Sequence, residues 1–474
     1  MIKRGDEVTL RLVGAAVEGK CIARMDGLVV FVRGGVPGDT ARVCITKVKK
    51  QFLEADFRAL EQPSPDRVQA RCRYFGVCGG CTWQELRYDA QLQSKRRSVV
   101  DALERIGGFV GVEVLPAAGA ADIYWYRNKM EFSFGERWLT VEEMARGADE
   151  LNGEQSRFAL GLHLPGRFDK VLDVEECWLQ SEASVRIVNA TRRFALTAGL
   201  NVHSTRTHEG YLRNLVIREG RRTGERMVNL VTFDDRPDVM AAYTETLLAE
   251  VPEISTVVNN ITERKSQVAL GDVEKVYHGP GSITEKIGGR TYRISANSFF
   301  QTNTAQAERL YDVAAEMAAL TGSETVYDLY SGTGTIALHL AGLAREVIGI
   351  ETVPQAIEDA KSNAAFNNVP NCTFLLGDLK ERLTRDTAWT AHHSAPDVVV
   401  IDPPRSGMHE AVARQVLHMG ARRIVYVSCN PATQARDLKI LVSTGRYRVN
   451  RAQPVDMFPH TSHVENVALL EAAG

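Results

Sequence analysis

From residue 291 onward, short β-branched runs alternate with helix-length segments, and each run ends in a glycine turn, an acid or a cysteine. The runs are Val326–Leu329, Val347–Ile350, Phe374–Leu376, Val398–Ile401 and Arg422–Val427. Strands that alternate with helices pair in parallel. Right-handed crossovers then bring all their C-terminal ends to one rim, where ligands of open α/β sheets bind. The groups expected on that rim are Tyr330-Ser331-Gly332-Thr333-Gly334-Thr335, Glu351, Asp378, Asp402-Pro403-Pro404-Arg405 and Ser428-Cys429-Asn430-Pro431. The predicted fold class is α/β.

Two segments precede this domain. Residues 1–62 carry the alternating runs Val8–Val13, Leu28–Val32 and Ala41–Ile45, separated by Gly-rich turns, which predict a small β-barrel. Gln62-Pro63-Ser64-Pro65 reads as a linker. Residues 63–290 read as a mixed α+β central domain, with strands at Leu212–Ile217 and Met227–Phe233. A helix is expected over 86–106, packing on the C-terminal domain and showing Lys95-Arg96-Arg97 on an exposed face. Residues 136–156 are charged and poorly patterned, and read as a loop or insertion.

Charge excludes little overall, with a net of −2, but it is uneven: residues 1–73 carry +5 and the remainder −7. A basic N-terminal module fits a local phosphate-binding surface. No apolar run reaches spanning length, and the charged N-terminus lacks a signal-peptide core, so a cytoplasmic protein without membrane contact is expected. Its eight cysteines then point to metal or catalysis rather than disulfides. Cys72, Cys78 and Cys81 follow a C-x5-C-x2-C spacing, and Cys177 is the best fourth ligand. An iron–sulfur cluster and a structural zinc both satisfy that set. Cys21, Cys44 and Cys372 lie in strand-like runs and read as core.

The glycine turn and Glu351 suit a nucleoside cofactor, since glycine allows close backbone approach and an acid after the second strand holds ribose hydroxyls. A dinucleotide fold looks alike to this point and tolerates the Ala at position 337, but Asp402-Pro403-Pro404-Arg405 argues against hydride chemistry. The Asn/Asp-Pro-Pro-aromatic version of that turn occurs in amino-group methyltransferases; here Arg replaces the aromatic residue, which disfavours that class. Cys429, where a buried strand meets a loop, is placed to act as a nucleophile once ionised.

Asp402-Pro-Pro-Arg405, Ser428-Cys429-Asn430-Pro431, Ser298-Phe299-Phe300-Gln301-Thr302-Asn303 and His463-Val464-Glu465-Asn466 together resemble the RNA uracil-C5 methyltransferase family. The run from Gly19 through Val36-Pro37-Gly38-Asp39 resembles a TRAM domain, an RNA-binding barrel, so the chain is similar to the cluster-containing rRNA branch. The resemblance implies a doubly wound Rossmann-like methyltransferase domain at 291–474, S-adenosyl-L-methionine as cofactor, and a [4Fe–4S] cluster on Cys72, Cys78, Cys81 and Cys177. It further implies Cys429 as nucleophile, Glu465 as base, and Asp402 between cofactor and uracil. Gln301, Tyr330, Gly332, Gly334, Thr335, Glu351 and Asp378 are the implied cofactor contacts; Thr335 departs from relatives that carry Asn there. Phe299 and Gln301 are the implied substrate contacts, Phe299 stacking on an extruded base. The expectation is a monomeric enzyme forming 5-methyluridine in large-subunit rRNA. The alternatives are a tRNA uracil-C5 methyltransferase and a non-catalytic RNA-binding assembly factor.

Overall fold

A computed structural model describes residues 2–138, 158–166, 170–204, 206–265, 269–381 and 394–473. Most of the stretch read as a loop at 136–156 lies outside the described residues, and its first residues end a strand. The chain forms two compact units, one of Met1–Ala70, Thr82–Ala121 and Ala305–Gly474, the other of Arg71–Cys81 and Asp122–Thr304.

In the first unit, the N-terminal strands are β1 (Glu7–Arg11), β2 (Gly14–Ala15), β3 (Cys21–Met25), β4 (Leu28–Arg33), β5 (Thr40–Val48) and β6 (Phe52–Gln62). They pair in the order β1-β5-β6-β4-β3-β2. Consecutive β1 and β2 thus pair at opposite edges, which curls the sheet into a barrel. Leu12, Val30, Val32, Val43, Ile45 and Leu53 fill it. The expected linker is anchored rather than loose. The buried Asp39 carboxylate accepts the Ser64 N–H at 2.9 Å and the Arg67 guanidinium at 2.6 Å. Burial alone would raise the Asp39 pKa, but Arg67 and the backbone N–H groups of Ser64 and Val36 hold it low.

Residues 82–121, expected in a central domain, group with the C-terminal segment. The helix Tyr88–Ala102 lays Val99, Ala102 and the following Leu103 into the C-terminal core. Its Lys95 is not on an exposed face: it is wholly buried, paired with Asp456 and bonded to the Phe458 carbonyl at 3.0 Å. The basic triplet is split because only Arg96 and Arg97 lie off the buried stripe, and Arg97 pairs with Asp101. The two-residue β7 (Glu113–Val114) joins the edge of the C-terminal sheet.

The second unit is built on seven strands: β8 (Lys129–Trp138), β9 (Phe158–His163), β10 (Val171–Asp173), β11 (Leu212–Glu219), β12 (Arg226–Thr232), β13 (Thr256–Ile261) and β14 (Val273–His278). Their order is β10-β9-β8-β11-β12-β13-β14. Helices Glu182–Thr197 and Pro237–Glu250 cover the face bearing Leu215, Ile217, Val228, Leu230 and Val257. A hairpin follows, β15 (Ser282–Ile287) and β16 (Arg290–Ser295).

The C-terminal sheet adds β17 (Thr325–Leu329), β18 (Glu346–Glu351), β19 (Cys372–Leu376), β20 (Val398–Ile401), β21 (Arg423–Ser428), β22 (Tyr447–Val455) and β23 (Glu465–Ala472). Its order is β19-β18-β17-β20-β21-β23-β22-β7. Strands β17 to β21 are parallel, and β23 inserts antiparallel beside β21. The order reverses between β17 and β20, the switch point at which such sheets open a crevice. Among the described residues no helix is long and apolar enough to cross a membrane.

Candidate active site

The rim residues converge as expected. After β17, Tyr330 takes φ +67°, unusual for a bulky residue, and Gly332 and Gly334 take φ +53° and +78°. A Cβ on Gly334 would sit 2.7 Å from the Phe374 ring, so this turn closes tightly only with glycine. The Gly332 N–H donates to Glu351 at 3.0 Å, tying the glycine turn to the end of β18. The other Glu351 oxygen accepts the N–H groups of Thr352 and Val353. Asp378, exposed after β19, caps the next turn through Lys380 N–H at 2.8 Å. The Thr335 hydroxyl is engaged by Tyr311 at 3.0 Å.

Sequence reasoning missed Asp328. It lies within β17, wholly buried, with one oxygen bonded to Ala337 N–H at 3.0 Å and the other without a partner among the described residues. Burial, then the charges of Asp402 and Glu351, push its pKa well up. The available signal was a lone acid inside an otherwise apolar strand.

Cys429 follows β21 and precedes the helix Pro431–Leu441, whose N-cap is Asn430. Ser428 and Asn466 are the last pair of the β21–β23 ladder, so Cys429 and Glu465 are the next residues beyond it on either side. Two buried amides lock this geometry. Gln434 donates to the Tyr426 carbonyl at 2.7 Å and the Asn466 carbonyl at 3.1 Å, and Asn466 returns a bond to Gln434 at 2.7 Å. Asn430 and Thr433 each donate to the Arg405 carbonyl at 3.2 Å, holding the Asp402–Arg405 turn against the helix.

Electrostatics follow from burial. The Cys429 thiol is pushed up to about 11 by burial and by Glu465 and Asp402, against Arg405. Burial and the Asp402 charge raise Glu465 to about 8, and burial raises Asp402 to about 7. Burial thus keeps the Cys429 thiol protonated, with the Glu465 and Asp402 carboxyls as its charged neighbours. Two histidines precede Glu465 in the sequence: His460 is buried and held by Gln91, while His463 is exposed.

Phe299, Gln301 and the four cysteines lie in the second unit. Phe299 is 71% exposed while its neighbour Phe300 is buried. Cys78 feels the charges of Cys177 and Cys72, and Cys177 feels Cys72, so these thiols share one neighbourhood. Gly80 N–H donates to the Cys78 sulfur at 3.3 Å. Among the described residues, however, no three His, Cys, Asp or Glu side chains stand in metal-holding geometry. Cys21 is core of the barrel, as read.

The comparisons with known proteins decide the family. The description tRNA (Uracil-5-)-methyltransferase matches residues 276–473, and the TRAM domain matches residues 3–57. An uncharacterized RNA methyltransferase of Porphyromonas gingivalis is 46% identical over 97% of this chain and 99% of its own. This chain belongs to the RNA uracil-C5 methyltransferase family. It is an S-adenosylmethionine-dependent RNA methyltransferase with an N-terminal TRAM domain. A similar RNA methyltransferase of Chlorobaculum tepidum is 45% identical over 99% of this chain and 97% of its own. Among solved structures, the Pyrococcus abyssi tRNA (uracil-54, C5)-methyltransferase in complex with S-adenosyl-L-homocysteine is 31% identical. It covers 98% of this chain and 99% of its own, with a TM-score of 0.74.

Proposed function

We propose that this methyltransferase forms 5-methyluridine through a covalent adduct between Cys429 and uracil C6. The observation that carries the reading is the ladder position of Cys429 beside Glu465, with Asp402 on the same rim. Uracil C5 is a poor nucleophile. Addition of the Cys429 sulfur to C6, its proton released to solvent, makes C5 an enolate carbon, one hard step becoming two easier ones. When bound, S-adenosyl-L-methionine would supply an activated methyl group to that carbon and leave as its demethylated thioether. Glu465 then takes the C5 proton, the C5–C6 double bond re-forms, and the bond from Cys429 to C6 breaks. A base that titrates near neutrality suits this work. Gly332, Gly334, Tyr330 and Glu351 would hold the cofactor. The unpartnered oxygen of Asp328 fits its cationic end. By resemblance, Gln301 is a proposed cofactor and substrate contact and Phe299 a proposed substrate contact.

Cys72, Cys78, Cys81 and Cys177 are the proposed ligands of a [4Fe–4S] cluster. The neighbourhood shared by Cys72, Cys78 and Cys177 supports this, and so does the N–H donated to the Cys78 sulfur. The donor set fits in kind: four thiols within one unit.

Large-subunit rRNA is the proposed substrate, on the strength of the barrel combined with the cysteine set. One observation favours tRNA instead: the Pyrococcus abyssi tRNA enzyme matches 98% of this chain, so the barrel does not separate the two substrates. Incubation with labelled cofactor and either rRNA or tRNA distinguishes them. Incubation with 5-fluorouridine RNA should give a denaturation-resistant adduct that Cys429→Ala abolishes. An adduct that survives in Cys429→Ala would refute the nucleophile.

A further inference from the structure

Arg218 is the last residue but one of β11, opposite Lys129 of β8 and Met227 of β12, and is only 4% exposed. A guanidinium in that place has lost its hydration. Burial pulls its pKa down to about 10, against the opposing charge of Glu131. Its Nη2 donates to two backbone carbonyls, Ala296 at 3.2 Å and Ser298 at 2.5 Å, and its Nε has no partner among the described residues. A buried cation is costly, and an apolar residue of similar volume is often as stable or more so. Here its donors converge on one irregular segment.

That segment is the one carrying Phe299. Asn128 holds its far side, donating its side-chain amide to the Gln301 carbonyl and its N–H to the Thr302 carbonyl, both at 2.9 Å. Asn297 donates to Asn260 at 3.1 Å. Phe300 turns inward, its ring 5.9 Å from the buried Tyr292 ring. The carbonyls on both sides of Phe299 are therefore fixed, its neighbour is anchored, and Phe299 itself points to solvent.

We propose that Arg218 is a positioning residue for RNA, holding the Ala296–Ser298 backbone so that Phe299 is presented to stack on an unpaired base. The proposal rests on the reading of Phe299 as a base contact. It also explains the residue type. Both carbonyls are met by one nitrogen, Nη2, which the rigid guanidinium plane aims at them; the flexible stem of lysine aims its ammonium less firmly, and methionine has no donor at all. Holding the aromatic in place beforehand lowers the ordering cost of binding.

A double-mutant cycle tests it. Arg218→Lys and Arg218→Met are made in the wild-type and Phe299→Ala backgrounds, and kcat/KM for RNA, cofactor affinity and melting temperature are measured. In the wild-type background each should lower kcat/KM by about tenfold, chiefly through KM for RNA, with cofactor affinity unchanged. In the Phe299→Ala background the further decrease should be less than about twofold, because interacting positions are not additive. Equal decreases in both backgrounds, or none in either, overturn the proposal. If Phe299→Ala alone leaves kcat/KM unchanged, it is the base-contact reading that fails. Should Arg218→Met not fold, Arg218→Lys carries the same comparison.

Discussion

Cys429 and Glu465 lie one ladder step beyond the Ser428–Asn466 pair, although their strands run in opposite directions. Because β23 is antiparallel to β21, its first residue, and not its last, reaches the rim where the parallel strands end. The C-terminal motif is thereby delivered to Cys429 from a segment that follows it by more than one element.

Glu465→Gln should separate methyl transfer from product release. Without a base for the C5 proton, the Cys429–C6 bond persists. Turnover should fall by about 10²–10⁴, and enzyme should accumulate as a shifted band with methylated RNA on a denaturing gel. Normal turnover in this variant, with trapping instead in His463→Ala, would reassign the base.

The raised Glu465 pKa sets a pH dependence with a definite sign. Its folded value of about 8 lies above the ordinary carboxyl value, so the folded state holds the proton more tightly. Its stabilising contribution is full below the unfolded value and is lost as pH rises through about 8. Glu465→Gln, which cannot ionise, should therefore raise the melting temperature more at pH 8.5 than at pH 5. The single-turnover release rate of wild type should rise over the same window as the base ionises.

Gln434 holds β21, its following helix and β23 together, and should be felt in catalysis as well as stability. Gln434→Ala leaves the Asn466 amide and the Tyr426 carbonyl short of a partner. The expected destabilisation is about 1–3 kcal/mol by denaturant titration. Turnover should drop while cofactor affinity, set at the other strand ends, is kept. A variant with wild-type turnover would show that the register does not need this lock.

Protein purified without oxygen should be brown and carry about four irons per chain for a [4Fe–4S] centre. Cys177→Ser should lose them. Zinc in place of iron, by elemental analysis, would refute the cluster, and an intact cluster in Cys177→Ser would refute that ligand.

RNA binding by the barrel is tested best on its surface, since removing the barrel would expose the buried Trp83 that packs with Val36. Lys49 and Lys50 lie in the exposed turn between β5 and β6. Replacing both with Ala should flatten the salt dependence of RNA affinity, by about 0.7 in log–log slope for each single-strand phosphate no longer neutralised. An unchanged slope would place the phosphate-binding surface elsewhere.

The strand-end groups Gly332, Gly334, Glu351, Asp378, Asp402 and Cys429 were legible in the sequence because each depends on a local pattern: an apolar run, then a turn. The same locality made Val398–Ile401 readable as a strand to the residue. Other decisions belonged to tertiary structure. Lys95 reads as a surface charge beside Arg96 and Arg97, yet Asp456, remote in sequence, takes it into the core. Ser64 reads as linker until Asp39 binds its N–H. Asp328 and Arg218 are ordinary polar letters until burial strips their water and fixes what they face. Local spacing specifies which strands form and what they carry at their ends. Only the pairing of distant segments, with the desolvation that comes with it, decides which of those groups meet and how firmly each holds its proton.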